Sequence, residues 1–383
     1  MLLPSHLQRF IEPTLFGRYI SLGEIAPLIT RFPVEVIGES VNGNPIPMLK
    51  IGTGPKRILA WSQMHGNEST TTKAVFDLMN FLASDDPDAA AIRSSITLYL
   101  VPMLNPDGAE KYTRENANGI DLNRDFLNLT QPESNALMRT FEEVRPDFCF
   151  NLHDQRTIYG AGHSGKPATV SFLSPSFDEN RSLNTSRTIA MEIIAEMNDS
   201  LQQIIPGMVA RFDDSFNRNC VGDTFQQGGS ATILFEAGHF PGDYQRELTR
   251  QCLFIALCTA LRFIGGKEIS GQRTDDYLNI PQNKIVFYDF VYRNVKINYD
   301  NKDIITNFAA HYDEELIHGN EIRFNAIISE IGIANGIFGH RETDAAGARY
   351  LNGAAQFPVS GEKANFTLEG IGEFQNGLLQ SNL

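Results

Sequence analysis

The first two thirds of the chain alternate between apolar runs of strand length and amphipathic stretches of helical period. Residues 57–64 and 231–237 are mostly apolar, as strands in a central sheet are. Residues 69–84 place apolar side chains at helical spacing behind a Ser and a Thr that can cap a helix. The same patterns assign two short strands within 34–52, strands at 95–103 and 147–153, and helices at 132–144, 187–204 and 245–264. This alternation predicts an α/β fold, with a mixed, largely parallel central sheet and helices on both faces.

The pattern changes near residue 266. Residues 266–282 are polar and rich in turn formers, which is typical of a connector. Beyond them, residues 283–383 contain short β-branched and aromatic runs separated by Gly and Asn. The sequence therefore predicts a catalytic domain at 1–265 and a small β-rich domain at 283–383.

Composition narrows the possible partners and location. The 383 residues carry a net charge of −14, and an acidic surface repels nucleic acid. We recognise no signal-peptide pattern and no apolar run long enough to span a bilayer, so no membrane partner is expected. The four cysteines form no Cys-x-x-Cys pair, which favours a reducing compartment. We expect a cytoplasmic protein, and its oligomeric state stays open.

A candidate metal site follows the strand at 57–64. His65 and Glu68 lie three residues apart, between that strand and the helix at 69–84. In α/β sheets ligands bind beyond the carboxyl ends of the strands. An imidazole and a carboxylate form part of a normal zinc shell, which needs a third protein ligand. His153 ends the strand at 147–153 and is the predicted third ligand.

The tetrapeptide His-Gly-Asn-Glu occurs twice, at 65–68 and at 318–321. The second copy lies between two strand-like runs, so Gly319 and Asn320 are predicted to form a hairpin turn. No third ligand is expected there. Context therefore separates a candidate metal site from a simple turn.

Further residues have side chains suited to binding a carboxylate or moving a proton. Residues 105–108, Asn-Pro-Asp-Gly, are predicted to be a tight turn with a structural role. Arg124 offers a planar fork for a carboxylate, and Asn123 adds a donor. Glu236 ends an apolar strand, where it suits a general base. A rival interpretation is that Glu236 and His239 bind a metal themselves.

Taken in order, these motifs resemble the zinc carboxypeptidase family over roughly residues 35–264. The resemblance rests on His65-x-x-Glu68, Asn-Pro-Asp-Gly at 105–108, Arg114, Asp-Leu-Asn-Arg-Asp-Phe at 121–126, His153 and Glu236. It implies an α/β sheet covered by helices on both faces. It also implies one zinc ion, held by His65, Glu68 and His153.

The resemblance also implies a reaction. Glu236 matches the glutamate that activates water on the zinc, and Arg114 matches the arginine that polarises the scissile carbonyl. Asn123 and Arg124 match the pair that grips the terminal carboxylate. The implied function is hydrolysis of the C-terminal amide bond of a peptide by a zinc metallocarboxypeptidase. The sequence departs from pancreatic members in lacking their substrate-closing Tyr before Glu236 and in carrying Asp125 where Asn is more usual.

Two alternatives stay open. Relatives of succinylglutamate desuccinylase and aspartoacylase share much of the motif set and hydrolyse N-acyl amino acids, which also carry a free carboxylate. A binding module that has lost catalysis is the second alternative. The side-chain preference of the substrate is not assigned.

Overall fold

The computed structural model describes residues 2–266, 268–353 and 355–380, in two compact units. Unit 1 comprises the chain up to Arg156 together with Ala168–Asn283, and unit 2 comprises Thr157–Pro167 and the chain from Lys284. The predicted domain boundaries at 1–265 and 283–383 stay a prediction. Lys267 of the predicted connector and the last three residues of the predicted β domain lie outside the described residues.

The elements of unit 1 follow the predicted alternation. Its strands are β1 (Val34–Glu39), β2 (Pro45–Gly52), β3 (Lys56–Ser62), β4 (Ile96–Val101), β5 (Phe148–Asp154), β7 (Val170–Leu173), β8 (Val209–Arg211) and β9 (Ala231–Ala237). Its α-helices are α1 (Ser5–Gln8), α2 (Leu22–Ile29), α3 (Thr70–Leu82), α4 (Pro87–Ser95), α5 (Pro106–Lys111), α6 (Pro132–Val144), α7 (Thr185–Gln202), α8 (Val221–Gln227), α9 (Glu247–Gly266) and α10 (Thr274–Leu278). A 3₁₀ turn, η1, spans Leu122–Arg124.

Eight strands of unit 1 form one mixed sheet in the order β1-β2-β4-β3-β5-β9-β7-β8. The central strands β4, β3, β5 and β9 are parallel, whereas β2 pairs antiparallel with β4 and β7 antiparallel with β9. The predicted fold class is confirmed. The carboxyl ends of β3, β5 and β9 meet at one edge of this sheet, which positions the candidate site.

Alternate side chains of β3 pack into cores on opposite faces of the sheet. Ile58 and Ala60 join the core that contains residues of α3, α7 and α9. Leu59 and Trp61 join a second core with residues of α6 and α8. Burial on both faces explains why β3 is apolar throughout.

Helix α9 is apolar because it lies in the core of unit 1. By length and composition this helix could cross a membrane, contrary to the expectation that no run reaches that length. However, 72% of its most apolar stretch is buried inside the fold. Its hydropathy is therefore explained by packing in the core, where Leu253, Ala256 and Leu261 are fully buried.

The prediction of a tight turn at residues 105–108 is wrong, because these residues begin helix α5. The Asn105 side chain caps the helix by accepting a hydrogen bond from the Gly108 N–H at 2.9 Å. Pro106 is in the first helical turn, where its fixed φ is favourable and its missing N–H costs nothing. The same Asn-Pro pair that forms turns thus also starts helices.

The loop between β3 and α3, residues 63–69, carries the predicted ligands His65 and Glu68 and is called the metal-site loop here. Its Gly66 lies directly against α5. A Cβ at residue 66 would be 2.0 Å from the Gly108 carbonyl carbon and 2.2 Å from the Ala109 nitrogen. Because backbone cannot move aside as a side chain can, we expect Gly66→Ala to destabilise the protein by about 1–3 kcal/mol or more. Chemical denaturation measures this. Gly266→Ala is the control, since a Cβ there meets nothing within 4 Å; equal stability of the two variants would contradict the prediction.

Unit 2 is built from strands. They are β6 (Tyr159–Ala161), β10 (Asn283–Ile285), β11 (Phe287–Tyr299), β12 (Lys302–Ile317), β13 (Glu321–Ile331), β14 (Phe338–Asp344), β15 (Tyr350–Leu351), β16 (Phe366–Leu368), β17 (Gly372–Gln375) and β18 (Leu378–Leu379). Two four-stranded sheets, β13-β12-β11-β14 and β15-β16-β17-β18, enclose a core rich in aromatic side chains. The second His-Gly-Asn-Glu copy begins in the turn between β12 and β13, where His318 is exposed.

Candidate metal centre

The structure brings the three predicted ligands together at the carboxyl edge of the unit 1 sheet. His65 and Glu68 lie in the loop between β3 and α3, and His153 is the penultimate residue of β5. Since β3 and β5 are parallel neighbours, their ends are adjacent. The Nδ1 atoms of the two imidazoles are 3.2 Å apart, and one donor atom from each of the three residues lies within 4.8 Å of the others.

The Glu68 carboxylate bridges the two imidazoles. Its Oε1 is 2.8 Å from His65 Nδ1, and its Oε2 is 2.7 Å from His153 Nδ1. Oε2 also accepts a hydrogen bond from the backbone N–H of Asp154 at 3.1 Å. Burial raises the pKa of Glu68, but the neighbouring imidazoles outweigh this and hold it well below its usual range. Glu68 is therefore an ionised oxygen donor.

This donor set fits a divalent cation. Two imidazole nitrogens and one carboxylate are the ligands of many zinc sites that keep one position open. All three side chains are buried, and both Nδ1 atoms face the same carboxylate. Within residues 2–266, 268–353 and 355–380, no other group of His, Cys, Asp and Glu side chains brings three donors this close.

Asp121 supports the site from outside, and the sequence analysis did not single it out. Its Oδ1 is 2.9 Å from His65 Nε2, and its Oδ2 accepts hydrogen bonds from Arg114 Nε at 3.1 Å and Nη2 at 3.0 Å. A carboxylate on the outer nitrogen of a ligating histidine fixes the tautomer and the ring orientation. The sequence signal for Asp121 is its place at the start of the Asp-Leu-Asn-Arg-Asp-Phe motif, in which Asn123 and Arg124 alone are predicted to bind substrate.

Glu236 lies beside the predicted ligands, on the neighbouring strand β9. It is the register partner of His153, and its buried Oε2 has no hydrogen-bond partner in the part of the chain that the structure describes. Burial raises the pKa of Glu236 well above its usual range, and the charges of Glu68 and Asp154 add to the effect. A cation held between Glu68 and the imidazoles would counter this repulsion and favour the ionised carboxylate.

The side chains of the two predicted arginines, Arg114 and Arg124, reach solvent. Arg114 is partly exposed, and its Nη1 is 3.4 Å from Glu68 Oε1. Asn123 and Arg124 are held in η1, where Asn123 Oδ1 accepts a hydrogen bond from the Val221 N–H at 3.1 Å. Arg124 is exposed and donates to Cys220 Sγ at 3.1 Å. Asp121, which precedes this turn, connects it to the predicted ligand His65.

The rival metal pair of Glu236 and His239 is not part of the ligand group. The His239 ring lies against Tyr244, with ring centroids 4.7 Å apart. Its backbone carbonyl accepts a hydrogen bond from Thr169 Oγ1 at 2.8 Å. The geometry favours His65, Glu68 and His153 as the metal ligands.

Comparison with known proteins agrees with this arrangement. The family model described as zinc carboxypeptidase matches residues 29–192. Over these residues the chain is similar to the zinc carboxypeptidase family. The match includes His65, Glu68, Arg114, Asn123, Arg124 and His153, whereas Glu236 lies beyond it. The resemblance predicted from the motifs is confirmed, and the family binds zinc.

Curated relatives match only part of this chain. Carboxypeptidase SOL1 of Arabidopsis thaliana is 35% identical over 136 residues, which are 30% of this chain and 28% of that protein. Carboxypeptidase M of Mus musculus is 31% identical over 167 residues, 37% of this chain and 38% of that protein. The chain thus aligns with about a third of the length of these relatives.

A solved structure shows the same fold. A metallo-carboxypeptidase from Burkholderia cenocepacia superposes with a TM-score of 0.51 at 20% identity, over 63% of this chain and 68% of that one. At 20% identity, the similarity between the two structures is evidence for a shared fold alone. It agrees with a zinc carboxypeptidase fold for unit 1.

The contact between Asp121 and His65 leads to a prediction for metal binding. We expect Asp121→Asn to weaken zinc binding by about 10–100-fold, as loss of such supporting carboxylates does. Competition with a chromophoric chelator measures the affinity. Asp125→Asn is the matched control on the same loop, because the Asp125 carboxylate accepts hydrogen bonds from Thr130 and Gln131 instead. Wild-type affinity in Asp121→Asn would contradict the assignment.

Proposed function

We propose that this chain is a zinc-dependent metallocarboxypeptidase that hydrolyses the C-terminal amide bond of a peptide. One observation carries the proposal: a buried His-Glu-His donor group lies beside a second carboxylate, that of Glu236, whose buried Oε2 lacks a partner among the described residues. A metal site with a purely structural role would need only the three donor side chains. An additional carboxylate with one unpartnered oxygen at the same edge of the sheet is suited to moving protons.

Each group of side chains at the site has a separate role in hydrolysis. Zinc bound by His65, Glu68 and His153 would supply a Lewis acid that polarises the amide carbonyl and lowers the pKa of water. Glu236 accepts the proton of the attacking water and delivers it to the leaving amine. The Arg114 guanidinium donates hydrogen bonds to the oxygen on which negative charge develops.

Arg124 and Asn123 restrict the reaction to the end of the peptide. Arg124 is exposed, and in this proposal it binds the terminal carboxylate through two parallel N–H donors. Fixing this carboxylate places only the last amide bond next to Glu236. The substrate class is therefore a peptide with a free C-terminus.

Paired substrates test the proposal. Protein loaded with one equivalent of zinc is incubated with N-blocked dipeptides, with the same dipeptides amidated at the C-terminus, and with N-acetylaspartate. We expect hydrolysis of the free dipeptides, little hydrolysis of the amides, and loss of activity with a chelator. Cleavage of N-acetylaspartate alone would instead support the N-acyl amino acid hydrolase alternative.

The cytoplasmic location stays a prediction, which cell fractionation tests.

A further inference from the structure

The segment around Arg18, upstream of the family-matched residues, packs against the metal-site loop. Ser69 Oγ donates a hydrogen bond to the Arg18 carbonyl at 2.5 Å. Gln63 Nε2 donates to the carbonyls of Ile20 and Gly66, both at 2.9 Å. Gln63 and Ser69 are fully buried and flank the ligands His65 and Glu68 in sequence. The N-terminal segment therefore holds both ends of this loop.

The Arg18 side chain reaches the carboxylate of Asp154. Arg18 Nη1 donates to Asp154 Oδ2 at 3.2 Å, and both side chains are buried. The same oxygen accepts hydrogen bonds from the Thr70 N–H at 3.1 Å and from Thr70 Oγ1 at 2.5 Å. Arg18 also donates to Thr70 Oγ1 at 3.3 Å. These bonds join the first turn of α3 to the end of β5.

This junction lies immediately behind two of the predicted ligands. Glu68 is two residues before Thr70, and His153 is the residue before Asp154. The backbone N–H of Asp154 donates directly to Glu68 Oε2 at 3.1 Å. A displacement of Asp154 would therefore displace both Glu68 and His153.

Arg18 has the closer contact of the two arginines near Asp154. Arg246 Nη1 is 3.7 Å from Asp154 Oδ2, and the Arg246 guanidinium donates to the carbonyls of Ala237 and Gln155. Without Arg18, the buried Asp154 carboxylate keeps only the longer contact with Arg246, and a buried charge with weakened compensation is costly. A shift of Asp154 away from its present position would disturb the junction between α3 and β5.

We propose that Arg18 is a positioning residue for the metal centre. Through Asp154 and Thr70 it holds Glu68 and His153 in the arrangement that binds the cation. This inference rests on the metal site of the proposed function. Arg18 is assigned no contact with substrate, so its effect is on metal affinity and on kcat, with little change in KM.

Three variants test the inference by zinc affinity, measured on metal-free protein by competition with a chelator. Arg18→Met removes the charge but keeps the length, and we expect affinity about 10–100-fold weaker. Arg18→Lys keeps the charge and is expected to recover most of the loss. Arg31→Met is the matched control in the same N-terminal region, because Arg31 is largely exposed and pairs with Glu12 at 2.8 Å. It should leave the affinity unchanged.

The affinity measurement separates this inference from the proposed function. A folded Arg18→Met protein with wild-type zinc affinity would overturn the positioning role, whatever its peptidase activity. If Arg18→Met does not fold, Thr70→Val removes the two Oγ1 hydrogen bonds, to Asp154 and from Arg18, through which Arg18 is proposed to act, and wild-type affinity there would overturn the role equally. Wild-type protein that binds zinc but hydrolyses no peptide would contradict the proposed function and leave the positioning role standing.

Discussion

Glu236→Gln is expected to lower kcat by about 10²–10⁴-fold, the usual contribution of a general base, while zinc stays bound. Gln is close to Glu in size and shape but cannot accept and return a proton at this position. The three donor side chains are untouched by the change. Steady-state hydrolysis of a blocked dipeptide measures kcat, and metal analysis of the same sample measures zinc.

A buried carboxylate elsewhere in unit 1 provides the control for Glu236→Gln. Glu133 is fully buried and accepts hydrogen bonds from the Val41 N–H at 3.1 Å and from Asn116 Nδ2 at 3.1 Å. Glu133→Gln should keep wild-type turnover. A loss of turnover in Glu236→Gln would then reflect a missing catalytic base and not the cost of placing an amide in the protein interior. Full turnover in Glu236→Gln would contradict its role as the base.

His65→Ala is expected to abolish stoichiometric zinc binding and, with it, hydrolysis. The substitution removes one of three donors and leaves Glu68 buried with one imidazole partner fewer. Metal analysis after dialysis and the dipeptide assay measure the two effects. Addition of excess zinc should restore little activity, because the donor itself is missing.

The second His-Gly-Asn-Glu copy supplies a matched control for His65→Ala. His318→Ala replaces the histidine of the second copy of the tetrapeptide, but His318 is exposed in a turn of unit 2. We expect zinc content and turnover equal to wild type. Loss of zinc in His318→Ala, with retention in His65→Ala, would contradict the assignment of the ligands.

The sequence predicted those parts of the fold that follow from local periodicity. Helix α6 at 132–144 and strand β9 at 231–237 begin and end at the predicted residues. The ligand residues could be proposed because each follows or ends an apolar strand, and parallel strands bring such residues to one edge. The turn predicted at Asn105 failed because Asn followed by Pro suits a helix start as well as a turn.

Contacts between distant segments could not be predicted from pattern. Arg18 and Asp154 are separated by 136 positions, and neither lies in a motif that indicates the other. Asp121 is in a recognised motif, but its bond to His65 depends on how two loops meet in the folded protein. Residues 266–282 were predicted to be a polar connector, but their Tyr277 is buried in the core of unit 1. The polar composition of this stretch gives no indication of that contact.

The most direct test of the account is anomalous diffraction at the zinc absorption edge from crystals of zinc-loaded protein. We predict one strong peak per chain, coordinated by Nδ1 of His65, the Glu68 carboxylate and Nδ1 of His153. A peak at Glu236 and His239 instead, or no peak in unit 1, would contradict the proposed metal centre and the reaction built on it.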